Sequence, residues 1–150
     1  MKVLGVDPGI ERLGWGIIEK NGSEFTRISS GVKKTLKTSR KSARLWDIFY
    51  FLDKLIKKEK PDGISTEKLF FAKNVKTALI IGEVRGIILA VAEKNGLPIK
   101  EFAPLDFRYF VLGAHYRKPL NFTWKALDAA KNARLKIAEQ DRDSRASQYD

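Results

Sequence analysis

Apolar and polar positions set out an order of elements along the chain. Val3, Leu4 and Val6 form a short apolar run that predicts a strand. Pro8-Gly9 stops it at once, because proline lacks a donor and fixes φ while glycine permits the turn. Further strands are predicted over 13–20 and, with looser alternation, over 24–32. Between them stands Asn21-Gly22, a hairpin signal in which both turn positions take positive φ. Leu45, Ile48, Phe49, Leu52, Leu55 and Ile56 then recur at the i, i+3, i+4, i+7 spacing of an amphipathic helix, which Pro61 closes. Trp46 and Tyr50 fall off that stripe and are available to a second partner surface.

Residues 63–67 read as a short strand. A long helix follows over 75–95, capped by Asn74 and ended by Asn95-Gly96, with Pro98 forbidding its return. It is apolar on almost every side, which requires burial in the domain, in a subunit interface, or in both. Gly82 and Gly86, one turn apart, leave one face open to close approach by another backbone. Residues 99–103 predict a fifth strand, 105–113 a short helix, 113–119 a loop, and 122–138 a helix with a weak stripe of Leu127, Ala130, Arg134 and Ile137. The remainder, 139–150, is polar, lacks an apolar docking face, and reads as a frayed tail. A three-strand meander followed by alternating β and α units implies one α/β domain, with helices packed on a mixed five-stranded sheet.

Composition narrows the picture. The 150 residues are enough for one domain with a real core. The absence of cysteine excludes disulfides and thiolate metal sites. The most apolar stretch, 79–92, is interrupted by Glu83 and Arg85, and the N-terminus is itself a strand, so a cytoplasmic location is expected. Lys and Arg number 29 against 18 acids, giving a net charge of +11, a surplus that favours a polyanionic partner such as nucleic acid. The basic run of Lys33, Lys34, Lys37, Arg40, Lys41 and Arg44 suits phosphate contacts and a solvated loop equally.

Two predicted strands end on an acid, at Asp7 and at Glu67. If both strands are central, their carboxylates converge on one end of the sheet, and like charges there need a neutralising cation or a raised pKa. Oxygen-only ligands point to Mg²⁺ or Mn²⁺ rather than zinc. Such ions can activate water and stabilise the leaving oxygen of a phosphodiester. Phe70 and Phe71, between Lys68 and Lys73, place aromatics beside the second acid, where one can stack on an unpaired base and the other enter the core. The single histidine, His115, has no partner cluster, which gives no basis for zinc chemistry or a serine–histidine relay. Gly5, Gly9, Gly14 and Gly16 do not make a dinucleotide-binding G-x-G-x-x-G between strand and helix.

The blocks Leu4-Gly5-Val6-Asp7-Pro8-Gly9, Gly14-Trp15-Gly16-Ile17-Ile18, Thr66-Glu67-Lys68-Leu69-Phe70-Phe71-Ala72-Lys73-Asn74 and Gly82-Glu83-Val84-Arg85-Gly86 together resemble the RuvC family of Holliday junction resolvases, in register to about Gly113. The resemblance implies an RNase H-like fold, a homodimer through the 74–95 helix, and Mg²⁺-dependent endonuclease action (Mn²⁺ substituting) that resolves four-way DNA junctions by paired nicks using metal-activated water. It makes Asp7 and Glu67 catalytic metal ligands, Phe70 the aromatic that inserts at the junction, and Lys73, Arg108 and Lys118 DNA contacts. A branch-migration helicase complex is the further partner it suggests. The family's last helix carries two acidic or His/Asp ligands one turn apart, followed by an Ala-Leu-Ala run. Here Asp143 is the best match for the last acid and Asp141 its candidate companion, although Gln140 stands one turn before Asp143. The alternative is a junction-binding protein of the same kind with an incomplete metal site and no nuclease activity. An ATPase of the actin and sugar-kinase type also opens with an acid before a glycine turn, but the chain has no second glycine-rich phosphate loop.

Overall fold

The computed structural model describes residues 1–69, 74–103 and 121–146, and the side chains of the last helix at 125–137, 139 and 140. The elements run β1 (Lys2–Asp7), β2 (Arg12–Asn21), β3 (Glu24–Lys34), α1 (Lys41–Glu59), β4 (Gly63–Glu67), α2 (Val75–Lys94), β5 (Ile99–Phe102) and α3 (Asn121–Ala146). The short helix expected over 105–113 and the loop over 113–119 lie outside the described residues. No helix among the described residues is long and apolar enough to cross a membrane.

The five strands form one sheet in the order β3-β2-β1-β4-β5. β1 pairs antiparallel with β2 and parallel with β4, so it sits at the centre with the meander on one side and the crossover strands on the other. The β2–β3 hairpin turns one residue later than the sequence suggests. Asn21 is still paired, with Glu24, and only Gly22 in the turn has positive φ, at 62°. A two-residue turn with glycine at its first central position needs left-handed backbone only there, which spares Asn21 the strain.

Alternation along β1 divides the molecule. Leu4 and Val6 enter the larger core with Leu13 and Ile17 of β2, Ile64 of β4, and Ile48, Leu52, Val84, Ile88 and Val91 of α1 and α2. Val3 and Ile18 face the other way and meet Ala126 and Ala129 of α3. Two helices therefore cover one face and α3 the other, as the order of elements implied. The α2 cap also forms as expected, the Asn74 side chain accepting from the Thr77 N–H at 3.3 Å.

The last helix departs from expectation. It continues through Ala146 without a break at 138, so 139–146 is helical rather than frayed. Its docking face lies earlier, at Ala126, Leu127, Ala129 and Ala130, all of them buried. Three strand glycines on the facing side make the seat. A Cβ on Gly5 would lie 2.0 Å from the main-chain carbon and oxygen of Ala126, one on Gly14 2.3 Å from the Ala130 oxygen, and one on Gly16 2.7 Å from the Ala129 Cβ. Small residues on the helix and bare backbone on the sheet thus let the two approach closely.

Candidate active site and its cationic neighbours

The site is built by the same alternation. Residues 3, 5 and 7 of β1 share the α3 side, and the β1–β4 register runs Val3–Gly63, Leu4–Ile64, Gly5–Ser65 and Val6–Thr66. One further step sets Asp7 beside Glu67, on neighbouring parallel strands and on one side of the sheet. The Thr66 hydroxyl, fully buried, donates to the Val6 carbonyl at 2.9 Å and ties the two strand ends together just before their acids. Asp7 is only 8% exposed.

The turn after Asp7 is held from the opposite side. The Thr35 amide donates to the Glu11 carbonyl at 3.1 Å and its hydroxyl to the Ile10 carbonyl at 2.6 Å. Arg44 at the start of α1 donates to that hydroxyl at 2.8 Å. Two members of the basic run thereby reach the site loop, Arg44 through Thr35 and Lys37 by pairing with Glu11 at 3.1 Å. Lys33 and Lys41 pair with Asp47 and Glu83, both at 2.8 Å or less.

Both acids are engaged by α3. Arg134 donates to the Asp7 carboxylate at 2.9 Å and to the Pro8 carbonyl at 3.3 Å. Lys131 donates to the Glu67 carboxylate at 2.8 Å. The two cations stand one helical turn apart, the spacing at which the resemblance implies acidic ligands. Arg134 lies on the predicted stripe with Leu127 and Ala130, so the close seating of Ala130 against Gly14 carries it to the strand ends. That stripe was the signal by which sequence reasoning could have found Arg134 as a site residue, with Lys131 one turn before it. Asp7, Lys131 and Arg134 line an open cavity of about 560 Å³ with Arg12, Ile80 and Leu135.

Of the remaining site candidates, two have a described backbone. Asp141 and Asp143 belong to α3, and at 1.5 Å rise per residue their backbone is carried roughly 10 and 14 Å along the axis beyond Arg134. The side chain that stands beside Asp7 is that of Arg134. Phe70, Lys73, Arg108 and Lys118 lie outside the described residues.

The chemistry of the donor set suits a hard divalent ion, since two carboxylates on adjacent strand ends are hard oxygen ligands that need counter-charge. Among the described residues no group of three or more His, Cys, Asp or Glu side chains stands together to complete a site around them.

Comparison with known proteins decides the lineage. The family profile described as crossover junction endodeoxyribonuclease RuvC matches residues 3–118. The chain belongs to the RuvC family. The RuvC protein of Caldicellulosiruptor saccharolyticus is 46% identical over 114 residues, which is 75% of this chain and 69% of that protein. The RuvC of Petrotoga mobilis is 44% identical over 113 residues, with the same two shares. Among solved structures, Thermus thermophilus RuvC in complex with Holliday junction substrate superposes with a TM-score of 0.69 at 22% identity, covering 87% of this chain and 90% of that one. The yeast mitochondrial Holliday junction resolvase Ydc2 superposes with a TM-score of 0.57 at 18% identity, over 75% of this chain and 58% of its own. The mixed five-stranded sheet with helices on both faces is the RNase H-like fold of these neighbours.

Proposed function

We propose that the chain is a structure-selective endonuclease that resolves four-way (Holliday) DNA junctions by paired nicks. The observation that carries this reading is the juxtaposition of Asp7 and Glu67 on adjacent strand ends in a chain of the RuvC family. Relatives up to 46% identical are crossover junction endodeoxyribonucleases by name, and the net charge of +11 suits a polyanionic substrate.

Asp7 and Glu67 are the catalytic acids and the residues that would hold the metal. A divalent ion on them would supply Lewis acidity at the phosphorus and lower the pKa of a nearby water. Magnesium is the ion this reading assigns, with manganese able to substitute. The chain's own contribution is rigid placement. The Thr66 bond fixes the strand ends, the Thr35–Arg44 bonds fix the turn after Asp7, and the cavity beside them admits a phosphodiester. Hydrolysis would leave a 5′-phosphate and a 3′-hydroxyl. Phe70 is the residue assigned to insertion at the junction, and Lys73, Arg108 and Lys118 to phosphate contacts.

Paired nicks need two sites. α2 exposes Val75 and Leu79, and among the described residues nothing beyond the helix's own backbone comes within 4 Å of a Cβ built on Gly86. That face is the dimer surface in this reading, one protomer acting on each strand. A cytoplasmic location and a branch-migration helicase complex as partner complete the proposal.

One observation favours a second reading, a junction-binding protein that does not cut: each acid already carries a cation from α3. The experiment that separates them uses a labelled synthetic four-way junction and a linear duplex of the same sequence, with and without Mg²⁺. Nicks near the branch point of the junction alone, lost in Asp7→Asn and Glu67→Gln, support the nuclease. Selective binding with no cleavage at any Mg²⁺ concentration supports the second reading.

A further inference from the structure

We infer that α3 is an internal counter-ion for the acid pair. Lys131 and Arg134 compete with a divalent cation for Glu67 and Asp7, so an ion enters only when these two side chains swing aside. The inference rests on reading Asp7 and Glu67 as the metal-binding acids.

Charge gives the first argument. Two carboxylates on neighbouring strands repel unless a cation compensates them. A lysine and an arginine at 2.8 and 2.9 Å together bring the same two positive charges as one divalent ion. The acids are therefore neutralised before any ion arrives, and an incoming ion gains only the difference between its own attraction and the two ion pairs it breaks.

Placement gives the second. The pairs are not chance encounters of flexible surface chains, because α3 is seated on main-chain atoms opposite Gly5 and Gly14, which fixes where residues 131 and 134 begin. The Arg134 guanidinium also caps the Pro8–Gly9 turn, since a Cβ on Gly9 would lie 3.3 Å from its central carbon. Release need not unseat the helix. The Arg134 side chain is 39% exposed, and both cations line the 560 Å³ cavity into which they can rotate. A DNA phosphate entering that cavity offers Lys131 and Arg134 an alternative charge-assisted partner. Substrate and ion would then favour each other's binding, as linkage requires.

The test reads metal binding without DNA. Full-length protein is titrated with Mn²⁺ alone by isothermal calorimetry, the wild type beside the double variant Lys131→Gln/Arg134→Gln. Loss of two charge-assisted pairs should tighten Mn²⁺ binding by at least about ten-fold. Adding Asp7→Asn to the double variant should abolish that gain. Equal Mn²⁺ affinity in the wild type and a folded double variant overturns the inference. If the double variant does not fold, the single Arg134→Gln, expected to gain about three-fold because one pair of two is removed, decides on the same criterion. A failure here is separable from failure of the proposed function, which is read from junction binding and cleavage rather than from Mn²⁺ affinity.

Discussion

Gly5→Ala is a severe test of how α3 meets the sheet. The new methyl would sit 2.0 Å from the main-chain carbon and oxygen of Ala126 and 2.4 Å from the nitrogen of Leu127. Ordinary contact needs about 3.4 Å or more, so the helix must recede by more than an ångström. Main chain cannot step aside as a flexible side chain can, which puts the cost at the upper end of overpacking, about 3 kcal/mol. Receding also stretches the two ion pairs of α3, which are partly exposed and add up to about 1 kcal/mol each. The reduced freedom of the unfolded chain returns about 0.4–1 kcal/mol. The net loss is about 2–4.6 kcal/mol, which for a domain of this size lowers the melting temperature by roughly 4–18 °C. Urea unfolding followed by circular dichroism measures it. Ala126→Gly should not rescue the variant, because the obstruction is the main chain rather than the Ala126 methyl. Stability within about 0.5 kcal/mol of the wild type would refute the seating of α3, and with it the account of how Lys131 and Arg134 reach the acids.

Three further outcomes follow from other parts of the molecule. Asp53 is buried and accepts from Lys57, Lys94 and Asn95, bonds that hold its carboxyl well below the ordinary carboxylate range. A lowered folded-state pKa gives stability that is complete above the unfolded value of about 3.9 and is lost as pH falls from there. Thermal melts from neutral pH downward should show Asp53→Asn less stable at pH 7 and with a shallower decline below about pH 4 than the wild type. Arg85 and Glu101 form a two-pronged pair joining α2 to β5, one prong at 2.8 Å. Arg85→Gln should cost about 1–2 kcal/mol, visible as a lower urea midpoint with an unchanged slope. Gly86→Arg, on the open face of α2, should leave the protomer folded but shift a dimer to a monomer in sedimentation equilibrium. An unchanged dimer would remove α2 from the interface.

Much of the fold was legible because its signals were local. Strand-end acids before Pro8-Gly9 and after Thr66, and the apolar stripe of α1, each announce an element within a few residues. The asymmetric exposure of α2, which buries Val84 and Ile88 and leaves Val75 and Leu79 open, could only be bounded, since periodicity does not say which apolar face meets the sheet. The docking of α3 was legible only in part, through Leu127 and Ala130 of its weak stripe, and for a physical reason. Its contact is made by Ala126, Ala129 and Ala130 against Gly5, Gly14 and Gly16, and small residues give a weak hydrophobic pattern even where packing is closest. Those glycines look at first like parts of a phosphate loop, yet they clear space for a helix more than 110 residues away in the chain. Asp141 and Asp143 drew attention because the expected chemistry was acidic. Arg134 holds the place beside Asp7 through its position on the stripe of Leu127 and Ala130, a place that its charge alone would not have suggested.

The most direct measurement is the cleavage pattern of a labelled four-way junction, read beside a linear duplex over a Mg²⁺ titration. Symmetric nicks near the branch point, absent from the duplex and abolished by Asp7→Asn and by Glu67→Gln, are what the account predicts. A junction left uncut at every Mg²⁺ concentration, or cut equally well by Asp7→Asn, would contradict it.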